Sequence, residues 1–203
     1  MEAIKLENKR YTTEEYLEKL RHSKHKLEYI DGEIRMMAGG TENHGTIVDN
    51  AFFHLRSNKG GCTVKSSEMA VSVQSQNRYY FPDVSVVCGE DIKLEEKTGI
   101  ARMVNPHLIV EVISASSVDF DRGEKFIAYR QLDSFREYIL IDSRKMLIET
   151  FYRESHELWH IRSYYKPEQT VEIRTLNVNI SVADFYEGFV DAEAPPASDQ
   201  TLQ

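Results

Sequence analysis

The segment Leu108–Ile113 constrains the fold most strongly, because five of its six residues are aliphatic and the sixth is Glu111. A short, nearly continuous run of Leu, Ile and Val is typical of a β-strand that is covered on both faces. A carboxylate in such a strand costs several kcal/mol unless it is paired, protonated or bound to a metal ion. The segment therefore predicts a central strand of an α/β protein and an acid within it that has a partner.

Periodicity and turn residues predict helices and strands along the whole chain. Helices are expected at about 12–21, where Thr12 and Glu15 have capping-box spacing, and at 44–57 and 121–132. Asp31 and Gly32 predict the turn of a β-hairpin over 26–37. Further strand-like segments lie at 63–65, 69–73, 79–87, 137–141, 146–152, 158–165 and 170–176. We expect one α/β domain over 11–190, a mixed sheet flanked by helices with extra strands near the C-terminus, and a disordered acidic tail over 191–203.

Composition limits the classes of protein to consider. No apolar run approaches the roughly 20 residues of a membrane span, and the start of the chain lacks the apolar core of a signal peptide. The two cysteines, Cys62 and Cys88, form no C-x-x-C motif, and we expect them to be reduced in a cytoplasmic protein, with Cys88 packing as a small apolar side chain. The net charge of −8 disfavours nucleic-acid binding unless a basic strip or a carboxylate-bound cation compensates.

Asp83 is a second acid in an apolar strand-like segment, directly after Pro82. Asp83 and Glu111 could meet on neighbouring strands, where two close carboxylates would favour a divalent cation such as Mg²⁺. Such an ion can polarise a phosphoryl oxygen and orient an attacking water. Lys125, on the helix that follows the Glu111 strand, is the best placed cation to stabilise charge on a phosphate.

Each of these residues also has a purely structural interpretation. Glu111 could form a salt bridge with a neighbouring Arg, and Asp83 could be an ordinary turn residue. Asp121 and Lys125 have the i,i+4 spacing of a surface ion pair. Glu28, before the hairpin turn, could face water. The joint occurrence of these residues favours a functional site.

The series as a whole resembles a known family. Its most specific parts are the Tyr-Ile-Asp-Gly-Glu hairpin that follows Glu28, the Pro82-Asp83 pair, the Glu-Val-Ile-Ser strand from Glu111 and the Gly-Glu-Lys sequence ending at Lys125. Together they resemble the Uma-type family of proposed restriction endonucleases, which is placed in the restriction-endonuclease-like superfamily. The likeness covers about 11–186 and implies a restriction-endonuclease-like core.

The resemblance implies a role for each matching residue. Asp83 and Glu111 would bind Mg²⁺, or Mn²⁺ as a substitute, together with the backbone carbonyl of Val112, and Glu28 would be an additional acid. The superfamily pattern of Pro-Asp followed by Asp/Glu-x-Lys would place its lysine at 113, where this chain has Ile113. Lys125 would then supply the cation, as in superfamily members in which the lysine has migrated to the following helix.

The sequence and the resemblance also suggest further site contacts, a reaction and an oligomeric state. His44 and Asp121 are candidates for contacting phosphate or water. The expected function is Mg²⁺-dependent hydrolysis of DNA phosphodiester bonds, and a homodimer would suit the cutting of two strands, by analogy with the fold.

Two other functions remain open. The missing lysine at 113 and the acidic net charge favour a nuclease-like fold that binds nucleic acid or a protein without cutting it, although Lys19, Arg21, Lys24 and Lys26 form a modest basic cluster. Residues 156–160 match His-Glu-x-x-His, the zinc protease motif, which requires a helix. The flanking residues predict strands around a turn, so we expect no zinc site there.

Overall fold

A computed structural model describes residues 4–5, 9–37, 39–89, 94–97 and 100–191 of the chain. Most of the expected tail, 192–203, lies outside the described residues. The helices are α1 (Thr13–His22), α2 (Glu42–Ser57), α3 (Val118–Phe120), α4 (Phe126–Tyr129) and α5 (Val182–Phe185), with a π-helical turn (Asp121–Lys125) joining α3 to α4 and a 3₁₀ turn at Gln74–Gln76. The strands are β1 (Ile4–Lys5), β2 (Leu27–Ile30), β3 (Glu33–Met36), β4 (Thr63–Ser66), β5 (Ala70–Val73), β6 (Arg78–Tyr80), β7 (Val84–Val87), β8 (Leu94–Lys97), β9 (Ile100–Met103), β10 (Leu108–Ile113), β11 (Glu137–Asp142), β12 (Ile148–Arg153), β13 (Trp159–Tyr164), β14 (Thr170–Ile173) and β15 (Val178–Ser181).

The described strands form three sheets. One sheet has the order β1-β3-β2-β6-β5-β9-β8, the second has the order β13-β12-β11-β10-β7-β4, and β14 pairs with β15. β10 and β11 are parallel, so the chain must cross over between them, and α3, the π-helical turn and α4 make that crossover. The expected α/β fold with a mixed sheet, flanking helices and additional C-terminal strands is confirmed.

Local sequence signals account for several element boundaries. Thr12 caps α1 in the expected capping box, accepting from the Glu15 N–H while the Glu15 carboxylate accepts from the Thr12 N–H. The turn between β2 and β3 requires positive φ at both central residues, and Asp31 (51°) and Gly32 (91°) supply it. The hairpin predicted over 26–37 is therefore present.

β10 separates two hydrophobic cores. Its even-numbered residues, such as Val110, pack with α2 and α5, whereas Ile109 and Ile113 pack with α4. Because side chains alternate along a strand, Glu111 faces the same side as Ile109 and Ile113, toward α4. The strand predicted from its apolar run is thus covered on both faces, with one carboxylate directed at a helix.

The expectation that the two cysteines stay reduced is wrong, because Cys62 and Cys88 form a disulfide. Thr63 on β4 pairs with Val87 on β7, so the cysteines occupy the next opposed position of the same antiparallel ladder, with their Cα atoms 4.1 Å apart. Their separation of 26 residues in sequence gave no sign of this pairing. The disulfide also removes the cysteine-based reason for expecting a cytoplasmic protein, so that compartment stays a prediction.

Among the residues that the structure describes, no helix combines the length and apolar character that a bilayer crossing requires.

Reduction of the disulfide is expected to lower the free energy of unfolding by about 3 kcal/mol, because it releases a closed loop of this length in the unfolded chain. Urea unfolding with and without dithiothreitol measures the effect. Cys62→Ser should show the lower stability in both conditions. Two titratable thiols in the native, unreduced protein would contradict the pairing.

Candidate active site

Three acids that are far apart in sequence meet where the two large sheets adjoin. Glu28 lies on β2 of the first sheet and Glu111 on β10 of the second. The chain passes from β6 in the first sheet to β7 in the second through Phe81–Asp83. The N–H of Phe81 donates to the Glu28 carboxylate at 3.3 Å, which ties this connection to β2. Glu28, Asp83 and Glu111 are 2%, 8% and 3% exposed, so all three have largely lost contact with bulk water.

Asp83 and Glu111 face the same side of their sheet. Val84 pairs with Val110 in the antiparallel ladder, so Asp83 and Glu111 occupy the next opposed position. The N–H of Val112 donates to Asp83 Oδ2 at 2.8 Å, which fixes the Asp83 carboxylate at the end of β7. Pro82 lacks an N–H and therefore suits this gap between sheets, where no ladder continues.

Lys125 lies between three carboxylates, those of Glu28, Glu111 and Asp121. Its Nζ is 3.2 Å from Glu111 Oε1, 3.3 Å from Glu28 Oε1 and 3.2 Å from Asp121 Oδ1. Lys125 is 4% exposed, so these carboxylates rather than water solvate its charge. The interpretation of Asp121 and Lys125 as a surface ion pair is wrong, because both are buried.

Lys125 contacts Glu111 although position 113, where the superfamily pattern has its lysine, holds Ile113. Ile113 is buried in the core beside α4 and two residues along the strand from Glu111. A lysine from the helix above that face can reach Glu111, and Lys125 does so from the π-helical turn. Wide turns of this kind are frequent at functional sites.

Burial and charge shift the acid–base properties of this cluster. Burial raises the pKa of Glu28 and that of Glu111, although the Lys125 ammonium opposes the shift. Burial also disfavours the charged form of Lys125, but Asp121, Glu111 and Glu28 outweigh it and raise the pKa of Lys125. One ammonium among three acids thus stays protonated, while the buried Glu side chains hold protons more readily than exposed ones.

His44 and Asp121, the candidates for contacting phosphate or water, lie beside different members of the cluster. His44, in the first turn of α2, has Nε2 3.5 Å from Asp83 Oδ2. Burial would lower the pKa of His44, but the hydrogen bond and charge of Asp83 outweigh burial and raise it. Asp121 contacts Lys125 and lines a cavity together with Glu28, Asp83 and Glu111.

Sequence reasoning missed Tyr129, whose hydroxyl donates to Glu111 Oε1 at 3.2 Å. Tyr129 is fully buried on α4, four residues after Lys125. That i,i+4 spacing was a usable signal, since it puts both side chains on the helix face that covers Glu111.

The acids, Lys125 and His44 line a cavity of about 900 Å³. Glu28, Asp83, Glu111 and Lys125 line it together with Lys24–Lys26 and Ser114. The cavity therefore contains buried carboxylates alongside basic and hydroxyl-bearing residues.

The described residues contain no group of three or more His, Cys, Asp or Glu side chains with the spacing of metal ligands. Mg²⁺ usually takes one or two protein carboxylates and keeps several waters, so the Asp83–Glu111 pair is compatible with Mg²⁺ but with no closed zinc site. At the His-Glu-x-x-His sequence, His160 lies on β13 and its ring contacts Glu154. His156 lies in the turn before β13, so residues 156–160 do not form the helix that the zinc protease motif requires.

Replacing Lys125 by Met is expected to lower the free energy of unfolding by about 3–5 kcal/mol near pH 8, because buried carboxylates lose their counter-charge. Glu28 and Glu111 have folded-state pKa values above those of the unfolded chain, so they stabilise the fold at low pH and lose that contribution as the pH rises. The loss should therefore be smaller at pH 5. Urea unfolding at both pH values measures it, with Lys59→Met as a surface control. An equal loss at both pH values would contradict this electrostatic account.

Comparison with known proteins agrees with this architecture. A solved structure from Anabaena variabilis, described as "a putative nuclease belonging to DUF820", superposes with a TM-score of 0.70 at 17% identity, over 88% of this chain and 99% of that one. Two uncharacterised proteins of Synechocystis are 29% and 28% identical to this chain. They cover 86% and 82% of this chain and 90% and 94% of their own lengths.

The family profile named Uma2, described as "Putative restriction endonuclease", matches residues 13–183. This range includes Glu28, Asp83, Glu111 and Lys125, on which the resemblance was based. The chain therefore belongs to the Uma2 family.

Proposed function

We propose that this protein is a Mg²⁺-dependent endonuclease that hydrolyses phosphodiester bonds of DNA. One observation carries the proposal: the fold brings Asp83 and Glu111 side by side and directs a buried lysine at Glu111. Two acids can hold a divalent ion that polarises a phosphoryl oxygen, and a lysine can stabilise the charge that develops on the phosphate. Membership of the Uma2 family and a fold shared with a protein described as a nuclease support this proposal.

Asp83 and Glu111 would hold the ion, with the backbone carbonyl of Val112 as a further ligand. The N–H and C=O of a strand residue point to the same edge, and the Val112 N–H already points at Asp83. These are hard oxygen donors, which suit Mg²⁺ or Mn²⁺. A bound divalent ion supplies Lewis acidity and lowers the pKa of water at the site.

The chain's own residues would orient and neutralise the substrate. The Lys125 ammonium, held protonated by the acids, can donate to a phosphate oxygen and stabilise its growing negative charge. Asp121 and Glu28 hold that ammonium in place. His44, next to Asp83, is positioned to donate to phosphate or to a water molecule.

The non-cutting alternative rests on the same lysine. Lys125 forms ion pairs with three carboxylates, including Glu111, and a lysine retained in those contacts would neutralise the site rather than act on phosphate. The protein would then bind nucleic acid or a protein without hydrolysis. The homodimer expected from the fold also stays a prediction.

Asp83→Asn and Glu111→Gln are each expected to reduce Mg²⁺-dependent cleavage of plasmid or linear DNA by more than about a hundredfold, because each removes a ligand charge while keeping the side-chain shape. Circular dichroism and the thermal midpoint should show that both variants fold. Glu157→Gln, an exposed acid in the turn before β13, is the matched control and should cut like the unchanged protein. Equal cleavage by purified Asp83→Asn protein would reject the assignment.

Lys125→Met is expected to separate metal binding from cleavage. It should abolish hydrolysis, since no ammonium remains to stabilise the phosphate charge, yet bind Mn²⁺ at least as tightly, since a competing cation has left Glu111 and Glu28. Isothermal titration with Mn²⁺ and a cleavage assay on the same preparation test both parts. Retained cleavage would contradict the role of Lys125. Wild-type protein that binds Mn²⁺ but never cuts DNA would support the non-cutting alternative.

A further inference from the structure

We propose that Lys24, His25, Lys26 and Arg35 form a phosphate-docking wall that holds the nucleic-acid backbone next to the acidic cluster. The proposal deepens the proposed function, on which it rests, by assigning residues that bind the substrate away from the reacting phosphate. All four residues line the same cavity as Asp83, Glu111 and Lys125.

The wall begins at Lys24 in the loop between α1 and β2, four residues before Glu28. Ser23 ends α1, and its hydroxyl donates to the carbonyl of His25 at 2.8 Å and accepts the His25 N–H at 3.0 Å. These two bonds give the loop a defined turn. Lys24 and His25 are exposed, so their side chains are accessible to a ligand entering the cavity.

Lys26 continues the wall toward the acids. Lys26 and Glu28 are two residues apart at the start of β2, and side chains two residues apart on an extended chain face the same side. The Nζ of Lys26 is 2.6 Å from Ser67 Oγ and 2.8 Å from a Glu68 carboxylate whose side chain is 82% exposed. An ion pair this exposed contributes little, so Lys26 can exchange Glu68 for a phosphate at small cost.

Arg35 completes the wall from the neighbouring strand. It is the antiparallel partner of Glu28, so its side chain faces the cavity beside that acid. Its guanidinium lies over the Phe120 ring at 5.2 Å and is 3.7 Å from Glu33, beyond hydrogen-bond length. Arg35 thus lines the cavity, stacked on Phe120 and in a loose ion pair with Glu33, and a guanidinium suits bidentate binding of phosphate.

The four basic residues that are close in sequence, Lys19, Arg21, Lys24 and Lys26, make different contacts in the structure. Lys19 packs over the Tyr11 ring, and Arg21 pairs with Glu18. Lys24 and Lys26 instead line the cavity. In a chain of net charge −8, cations on one wall supply the local attraction that a polyanion needs to approach buried carboxylates.

The test compares two double variants with equal changes in net charge. Lys24→Gln with Lys26→Gln removes the wall lysines, and Lys59→Gln with Lys166→Gln removes two exposed lysines that do not line the cavity. Binding to a fluorescent 20-base-pair duplex is measured by anisotropy in EDTA, which prevents metal-dependent cleavage, across a range of salt concentrations. Circular dichroism establishes that both variants fold.

The wall variant is expected to bind about tenfold more weakly at low salt, and its slope of log affinity against log salt should fall by about one to two, because up to two phosphate contacts are lost. The control variant should match the unchanged protein. Equal binding by the two double variants, or no binding by the unchanged protein, would overturn the proposal.

A cleavage assay separates this proposal from the proposed function. Binding that depends on Lys24 and Lys26 without any Mg²⁺-dependent cleavage would keep the docking wall and reject the nuclease activity. Cleavage by the unchanged protein together with identical binding by both double variants would keep the activity and reject the wall.

Discussion

The contact on which the site depends is one buried ammonium shared by three carboxylates. Lys125 comes from the crossover helix, and its partners come from a strand of each large sheet and from its own π-helical turn. Because these groups are buried, any one of them left without an opposite charge would destabilise the fold, since desolvation costs several kcal/mol for each ion. The cluster therefore links helix and sheets electrostatically, and the proposed metal-assisted chemistry would use the same charges.

The topology explains why such a cluster forms at this place. The chain leaves one sheet at Phe81 and joins the other at Val84. A residue between these two points belongs to neither sheet, and its side chain can lie at the junction of the sheets. Asp83 occupies that gap and accepts the N–H of Val112. The parallel β10–β11 pair then requires a crossover, which brings Lys125 over Glu111. Backbone connectivity thus brings Glu28, Asp83 and Glu111, which are far apart in sequence, to the Asp121–Lys125 turn.

The buried acids and the exposed basic side chains occupy different parts of the cavity. The acids are buried at the sheet junction, whereas Lys24 and His25 are exposed along the same cavity. A phosphate backbone would meet cations before carboxylates, and a divalent ion would offset the repulsion by the acids. This arrangement would reconcile an acidic protein with the proposed polyanionic substrate, since local potential rather than net charge governs the approach of a ligand.

The sequence by itself determined the covered strand at Leu108–Ile113, the hairpin at Asp31–Gly32 and the α/β class, because aliphatic runs and turn residues act locally. It also singled out Glu111 as an acid needing a partner. Only the tertiary structure decided which partner: three carboxylates share Lys125, Tyr129 donates to Glu111, and the cysteines of β4 and β7 pair. These contacts depend on which strands become neighbours and which helix crosses them, and that is set by packing over the whole chain rather than by any local pattern.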